Sequence, residues 1–428
     1  MTTVIKYLID FILNTKDKNI SSQVAYTSDS KEFAKYKVVI YPSRFFSPAV
    51  YGTPESLPDL PLKKIENTPI LFGEPKIEKQ GDTFVLHADI IASAYFLISR
   101  YEEYVKRDVR DVHGRFPGKE SIPYKAGFIN RPIIEEYGQI LRKLLRETGL
   151  NIQEPQPKLQ KIYLTHDVDA IAHYRRLRGV AGAILKNSSQ AGIALKSYFK
   201  NIHYDPWFTF PWLLEQDSLL DSRAESIFFI KPGGGKNRED QPHSKVNSKD
   251  FKYLFHLLEQ HNASIGLHAS YEAGINPTLI KQERTQLEQA TNQNISYNRN
   301  HYLNTREPED MQKLYETGIT DDFTLGYADV AGFRIGTCRP VNWINPSTQQ
   351  LTPLCLHPLT MMDGSLSEKR YMNLPEDEAY NYAINLITET ERHGGDLCLL
   401  WHNTSVEKNG NNYHRTLYSK LINYLKDR

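Results

Sequence analysis

The sequence is short of the features that announce most functional classes. Of 428 residues only 3 are cysteines, Cys338, Cys355 and Cys398. They are odd in number and far apart, and no C-x-x-C pair occurs. This excludes a disulfide framework and a zinc ribbon, and it favours a reducing compartment. Net charge is nearly absent too. Lys and Arg number 52 against 51 Asp and Glu, leaving +1, so the chain as a whole carries no electrostatic footprint for nucleic acid or an anionic membrane. No run approaches the ~20 apolar residues of a membrane span. The apolar N-terminal stretch MTTVIKYLIDFILN is interrupted by Lys6 and Asp10, and no small-residue cleavage site follows it. Its Val4, Ile5, Leu8, Phe11 and Ile12 fall on one helical face, which predicts an amphipathic core helix rather than a signal peptide. A cytoplasmic protein is expected.

A chain of 428 residues with 40% hydrophobic residues is long enough for two cores. KVVIYP (37–42) reads as a buried strand. HADIIASAYFLISRYEEYVKR reads as a helix of about four turns capped by Asp89, and Arg131–Glu147 as a second helix. The segment NIQEPQPKLQK has two prolines and no periodicity, so it reads as a linker, with the boundary near residue 155. Residues 1–155 are then a smaller α/β domain and 156–428 a larger one. In the larger one, short apolar runs at 161–166, 225–230, 263–268, 295–302, 331–336 and 396–402 alternate with helical patterns around Lys252–Gln260, Pro277–Thr291 and Glu376–His393. That alternation predicts a parallel α/β sheet with its chemistry at the strands' C-terminal ends. Residues 178–201 read as a peripheral helical insertion.

The sharpest local feature is Thr165-His166-Asp167-Val168-Asp169 at a predicted strand end. Alternation places Asp167 and Asp169 on one face, and two carboxylates that close repel unless a proton or a cation intervenes. Alone, such a pair more often caps a helix. Gly266-Leu267-His268 ends another strand the same way, and an Asp with a His is the nucleus of a divalent metal site. Candidates for a third ligand are His301, in Arg299-Asn300-His301-Tyr302, and Glu272, four residues after His268. His402, in Leu400-Trp401-His402-Asn403, stands at the tip of the last predicted strand, where it can act as a general acid. Asp321, Asp322, Asp329 and Arg334 read chiefly as an ion-pair network, with Asp322 or Asp329 available to hold His402 charged. The loop Lys231–Lys236 lacks the spacing of a phosphate-binding loop and reads as a flexible loop beside the site.

THDVD, GLH, RNHY, DDFTLGYADVAGFRIGTCRP and LLWHN, in that order between residues 165 and 403, resemble the polysaccharide deacetylases of the NodB-homology superfamily (carbohydrate esterase family 4), in the branch that writes its first motif HDVD. The resemblance implies a distorted, incomplete (β/α) barrel. It implies Asp167 as general base, Asp169 and His268 as ligands of a divalent metal ion, zinc being the expected one, Arg299 as partner of the base and His402 as acid. Residues 81–147, with SRYEEY and HGRF, resemble the uncharacterised domain that precedes such barrels. One departure stands out: where the superfamily has a second histidine, this chain has Glu272. His301 is the favoured replacement, with ligation by Glu272 or a weak site as alternatives. The activity implied is removal of an N-acetyl group from an amino sugar in a glycan or glycan precursor. The competing readings are a non-catalytic carbohydrate-binding relative and a different metal-dependent C–N hydrolase on the same barrel.

Overall fold

The computed structural model describes residues 1–15, 17–186, 188–408, 410 and 412–428. The first periodic stretch forms a helix, Thr2–Leu13, that buries Val4, Leu8, Ile9, Ile12 and Leu13. Strands β1 (Val24–Tyr26), β2 (Val38–Ile40), β3 (Lys63–Ile65), β4 (Thr68–Ile70), β5 (Gly73–Gln80) and β6 (Thr83–Ala88) follow. They form a four-stranded sheet in the order β1-β2-β6-β5 and a β3-β4 hairpin. Asp89 caps the next helix, its side chain accepting from the Ala92 N–H. The predicted four-turn helix is in fact two, Ile90–Ile98 and Tyr101–Val105, because Arg100 between them takes a left-handed φ of 58°. That turn aims its guanidinium at the Thr305 carbonyl (3.0 Å) and at Glu103. The predicted helix from Arg131 begins at Ile133 and runs to Glu147.

The second part builds a nine-stranded sheet from β7 (Ile162–Val168), β8 (Ala224–Ile230), β9 (Ser264–Ala269), β10 (Tyr297–Asn300), β11 (Asp321–Asp322), β12 (Val341–Asn345), β13 (Gln350–Leu356), β14 (Met361–Met362) and β15 (Leu397–Leu400). The order is β12-β13-β11-β10-β9-β8-β7-β15-β14. Every neighbouring pair is parallel except β12 with β13. Among the described residues β12 and β14 do not pair with each other, so hydrogen bonds leave the row open. Parallel strands require helical crossovers, and Lys249–Gln260, Ile280–Thr291 and Glu376–Arg392 supply three of them. On β7, Ile162, Leu164 and Val168 enter the main core, while Tyr163 joins Ile227, Phe229, Phe323, Cys398 and Leu400 in a smaller cluster on the opposite face. Thr165 and Asp167 continue along Tyr163's face by strand alternation.

Three expectations change. The run at 331–336 is not a strand. Gly332 and Gly336 have φ of 144° and 71°, and the backbone bonds to the first 150 residues instead: Phe333 N–H to the Ile129 carbonyl (2.8 Å), Ile134 N–H to the Gly336 carbonyl (3.0 Å). Arg334 pairs with Glu103 (2.8 and 2.9 Å), which Arg100 also contacts, and not with the aspartates of its own block. All three side chains are buried. The Lys231–Lys236 loop is packed: a Cβ at Gly233 would meet Glu283 Oε1 at 2.3 Å, so glycine is required by the close approach. No described helix is long and apolar enough to cross a membrane.

Candidate metal and catalytic centre

Four strand ends converge on one cavity of about 310 Å³, lined among others by Asp167, Asp169, Lys231, His301 and His402. Asp167 and Asp169 come from the end of β7, Lys231 from the end of β8, His301 from the residue after β10, and His402 from two residues after β15. His268, fully buried on β9, stands against them. The intervening His166 points to the other face, bonding the Trp401 carbonyl (2.9 Å) and Asp217 (3.1 Å), and has a structural role.

Asp169, His268 and His301 form a cluster whose ligand-type atoms lie within 4.8 Å of one another. Asp169 Oδ1 is 3.3 Å from His268 Nε2 and 3.0 Å from His301 Nδ1, and these two nitrogens are 3.0 Å apart. The other nitrogen of each ring fixes its tautomer. His268 Nδ1 lies 2.9 Å from the Arg299 carbonyl and His301 Nε2 lies 2.9 Å from the Glu239 carbonyl. A carbonyl only accepts, so each of these nitrogens carries the proton, and His268 Nε2 and His301 Nδ1 present lone pairs to the cluster. Three acceptors therefore face one another, and the buried Asp169 Oδ1 has no hydrogen-bond donor. That is the donor set a divalent cation needs: two neutral imidazoles held by backbone carbonyls, one carboxylate, and room beside them. Burial lowers the pKa of His301.

Glu272 stays outside this cluster. Its carboxylate accepts from Asn237 Nδ2, and its backbone N–H donates to Asp240 (3.1 Å).

Asp167 is anchored by Arg299, whose Nη1 donates to Oδ1 (3.1 Å) and to Thr165 Oγ1 (2.6 Å). Arg299 is itself fully buried. Its Nε donates to the Phe323 carbonyl (3.0 Å), and its guanidinium lies 4.6 Å over the Phe229 ring. Asp167 Oδ2, 3.6 Å from His268 Nε2, is the oxygen nearer the cluster.

The partner of His402 is neither Asp322 nor Asp329. Asp322 accepts from Asn298 (2.8 Å) and Thr324 (2.7 Å), and Asp329 spends both oxygens on the Gly118 (2.8 Å) and Lys119 (3.1 Å) backbone N–H groups. The group that holds His402 is Asp363, directly after β14, accepting from Nδ1 (2.8 Å) and from the His402 backbone N–H (2.9 Å). Burial alone would lower the His402 pKa, but the Asp363 carboxylate, with Asp169 and Asp167 beyond it, pushes it up to about 10. Asp363 is correspondingly held well below the usual carboxylate range. Sequence reasoning missed Asp363 because the strand before it has two residues, too few to show a period. Lys231, whose pKa burial lowers, was missed as well, although its place directly after an apolar strand was a signal that could have found it.

The first 150 residues reach this centre. Tyr302 and Leu303, directly after His301, both have left-handed φ, 61° and 52°. Arg115 Nη1 donates to the Tyr302 carbonyl (2.7 Å), its Nε and Nη2 hold Asp111 (2.9 and 2.7 Å), and His113 packs on the Tyr302 ring at 4.9 Å. Arg115 and His113 thus clamp the turn that carries His301.

Residues 1–150 match the model of a family of unknown function, DUF7033. No curated protein matches the chain. Among solved structures, the chain is similar to a "putative polysaccharide deacetylase" from Mycobacterium smegmatis, at 14% identity and TM-score 0.40, over 63% of this chain and 86% of that one.

Proposed function

We propose that the protein is a metal-dependent hydrolase that removes an N-acetyl group from an amino sugar. In this reading residues 156–428 are the catalytic domain, an incomplete (β/α) barrel of the NodB type, and residues 1–155 form the domain before it. The observation that carries the reading is the three-acceptor cluster of Asp169, His268 and His301, set at the cavity that the Arg-anchored Asp167 and the Asp363-held His402 also line.

A divalent cation, zinc being the best fit to two imidazoles and a carboxylate, supplies polarisation of the acetamide carbonyl and a water whose pKa falls from ~15.7 towards ~7. The chain's own residues supply the proton transfers. Asp167, oriented by Arg299 and Thr165, accepts the proton of the attacking water through Oδ2. His402 is kept as imidazolium by Asp363, and its Nδ1–H is committed to that carboxylate. Its Nε2–H is therefore the proton available to the departing amine, which would otherwise have to leave as an amide anion. Asp363 orients the ring and charges it without touching the substrate. Acetate release from N-acetylglucosamine oligomers by zinc-loaded protein tests the proposal. Loaded wild type is expected to release acetate, with Asp167→Asn reducing the rate by at least about 100-fold; an Asp167→Asn protein as active as wild type would overturn the assignment of the base.

A further inference from the structure

The near-neutral total charge hides one strongly asymmetric segment. Between Asp169 and Asp205 the chain has six basic residues (Arg175, Arg176, Arg178, Lys186, Lys196 and Lys200) and no acidic one. This segment forms the helices Leu177–Lys186 and Ser188–Phe199, the predicted peripheral insertion. They meet through small side chains, Ala183 and Ala194 packing with Tyr174.

Five large apolar side chains of this hairpin point to solvent instead. Leu177 is 72% exposed, Leu185 83% and Phe199 74%, and Ile184 and Leu195 are 50% and 41% exposed. Elsewhere among the described residues only one large apolar side chain, Val112, exceeds 70%. The exposed positions keep helical spacing: 177, 181, 184 and 185 on the first helix, 192, 195 and 199 on the second. Lys196 and Lys200 adjoin Leu195 and Phe199 in sequence and are exposed too. Arg175 roots the hairpin, its guanidinium bonding Asp250 (2.8 and 2.9 Å). The Arg176 guanidinium bonds the neutral His243 carbonyl, and among the described residues no ion pair is formed by it.

Exposed leucines at helical spacing cost solubility unless something covers them. Nucleic acid would match the charge and leave the apolar face in water. An uncharged apolar protein groove would cover the leucines and leave the lysines unmatched. An anionic bilayer surface takes both, with the apolar face at the level of the headgroups and the cations among the lipid phosphates. We propose that the hairpin Leu177–Phe199 docks the protein on anionic lipid membranes, inserting Leu177, Leu185, Leu195 and Phe199 between headgroups while Lys196 and Lys200 engage the phosphates. The whole-chain charge of +1 predicts no such footprint, and the proposal rests on the local asymmetry instead.

The test is flotation of the full-length protein with vesicles of phosphatidylcholine alone and of equal parts phosphatidylcholine and phosphatidylglycerol, at low and high salt. Partition is read without catalysis, so its outcome is independent of the hydrolase reading. The protein should float with the anionic vesicles, less with the neutral ones, and less again at high salt. The double variants Leu185→Ser/Phe199→Ser and Lys196→Glu/Lys200→Glu should each lower partition at least about tenfold with an unchanged melting temperature. No flotation with anionic vesicles, or flotation that neither double variant weakens, overturns the proposal. So does light scattering that finds a dimer broken by Leu185→Ser/Phe199→Ser in a protein that binds no vesicles, or duplex DNA binding lost in Lys196→Glu/Lys200→Glu without vesicle binding.

Discussion

Replacing Asp363 by Asn keeps a hydrogen-bond partner of similar shape beside His402 and removes the charge. The rise of the His402 pKa from 6.5 to about 10 corresponds to roughly 5 kcal/mol of preference for the imidazolium, at about 1.4 kcal/mol per pH unit. Burial opposes that preference, and Asp363 is the largest group that sustains it. Without the carboxylate the pKa is expected to fall by about 2 pH units or more. The imidazole would then titrate near or below pH 8 instead of about 10. Two assays read this. In the pH profile of kcat/KM for acetate release, the alkaline limb reports loss of the acid. With a cation at Asp169 the wild-type limb lies below 10, because one of the charges that raise His402 is then compensated. In Asp363→Asn the limb should move further down. Proton NMR of the His402 ring in chelator-treated protein should show the same ordering without catalysis. Stability carries a matching sign. The folded value lies above the unfolded one, so the pair's contribution is complete from the usual carboxylate range up to about pH 6.5, is lost as pH rises through about 10, and is lost in acid as Asp363 protonates. The melting temperatures of wild type and variant should differ most near and below neutrality and converge in alkali. An alkaline limb and a His402 titration that Asp363→Asn leaves in place would refute this reasoning.

Three other outcomes follow from the same geometry. Arg115→Ala removes a charged hydrogen bond to the Tyr302 carbonyl, worth about 1.5–3 kcal/mol, so zinc affinity should drop roughly 10- to 100-fold. A titration with a zinc-competing dye reads that loss, and Arg115→Lys should restore part of it. Glu103→Gln leaves Arg100 and Arg334 buried beside a neutral group, which should cost about 3–5 kcal/mol in urea unfolding; a loss under about 1 kcal/mol, the range of an exposed pair, would show that the ion triad does not hold the two parts together. Glu272→Ala should leave both zinc binding and acetate release at wild-type level, because Glu272 is held by Asn237 outside the cluster.

Much of the site was legible because its residues sit at the ends of apolar strands. Strand alternation alone put Asp167 and Asp169 on one face, and the same logic singled out His268, His301 and His402. The choice between His301 and Glu272 was not legible. Whether a residue after a strand turns inward depends here on the two left-handed residues that follow it and on an arginine 186 positions earlier in the chain. Asp363 escaped for the opposite reason, a strand of two residues with no pattern to read. The run at 331–336 looked like a strand because apolar residues buried against another part of the chain and residues buried in a sheet show the same composition. Its two left-handed glycines were the local sign to the contrary. The total charge is the coarsest guide, since a sum near zero conceals a run of 35 residues without a single acid.

We propose that Asp169, His268 and His301 hold one divalent cation beside Asp167 and His402. Calorimetric titration of zinc into chelator-stripped protein tests it most directly, with wild type, His301→Ala and Glu272→Ala side by side. Wild type and Glu272→Ala should each bind one equivalent, and His301→Ala should lose that binding by at least about 100-fold. Binding that survives in His301→Ala and disappears in Glu272→Ala, or no binding in wild type, would contradict the account.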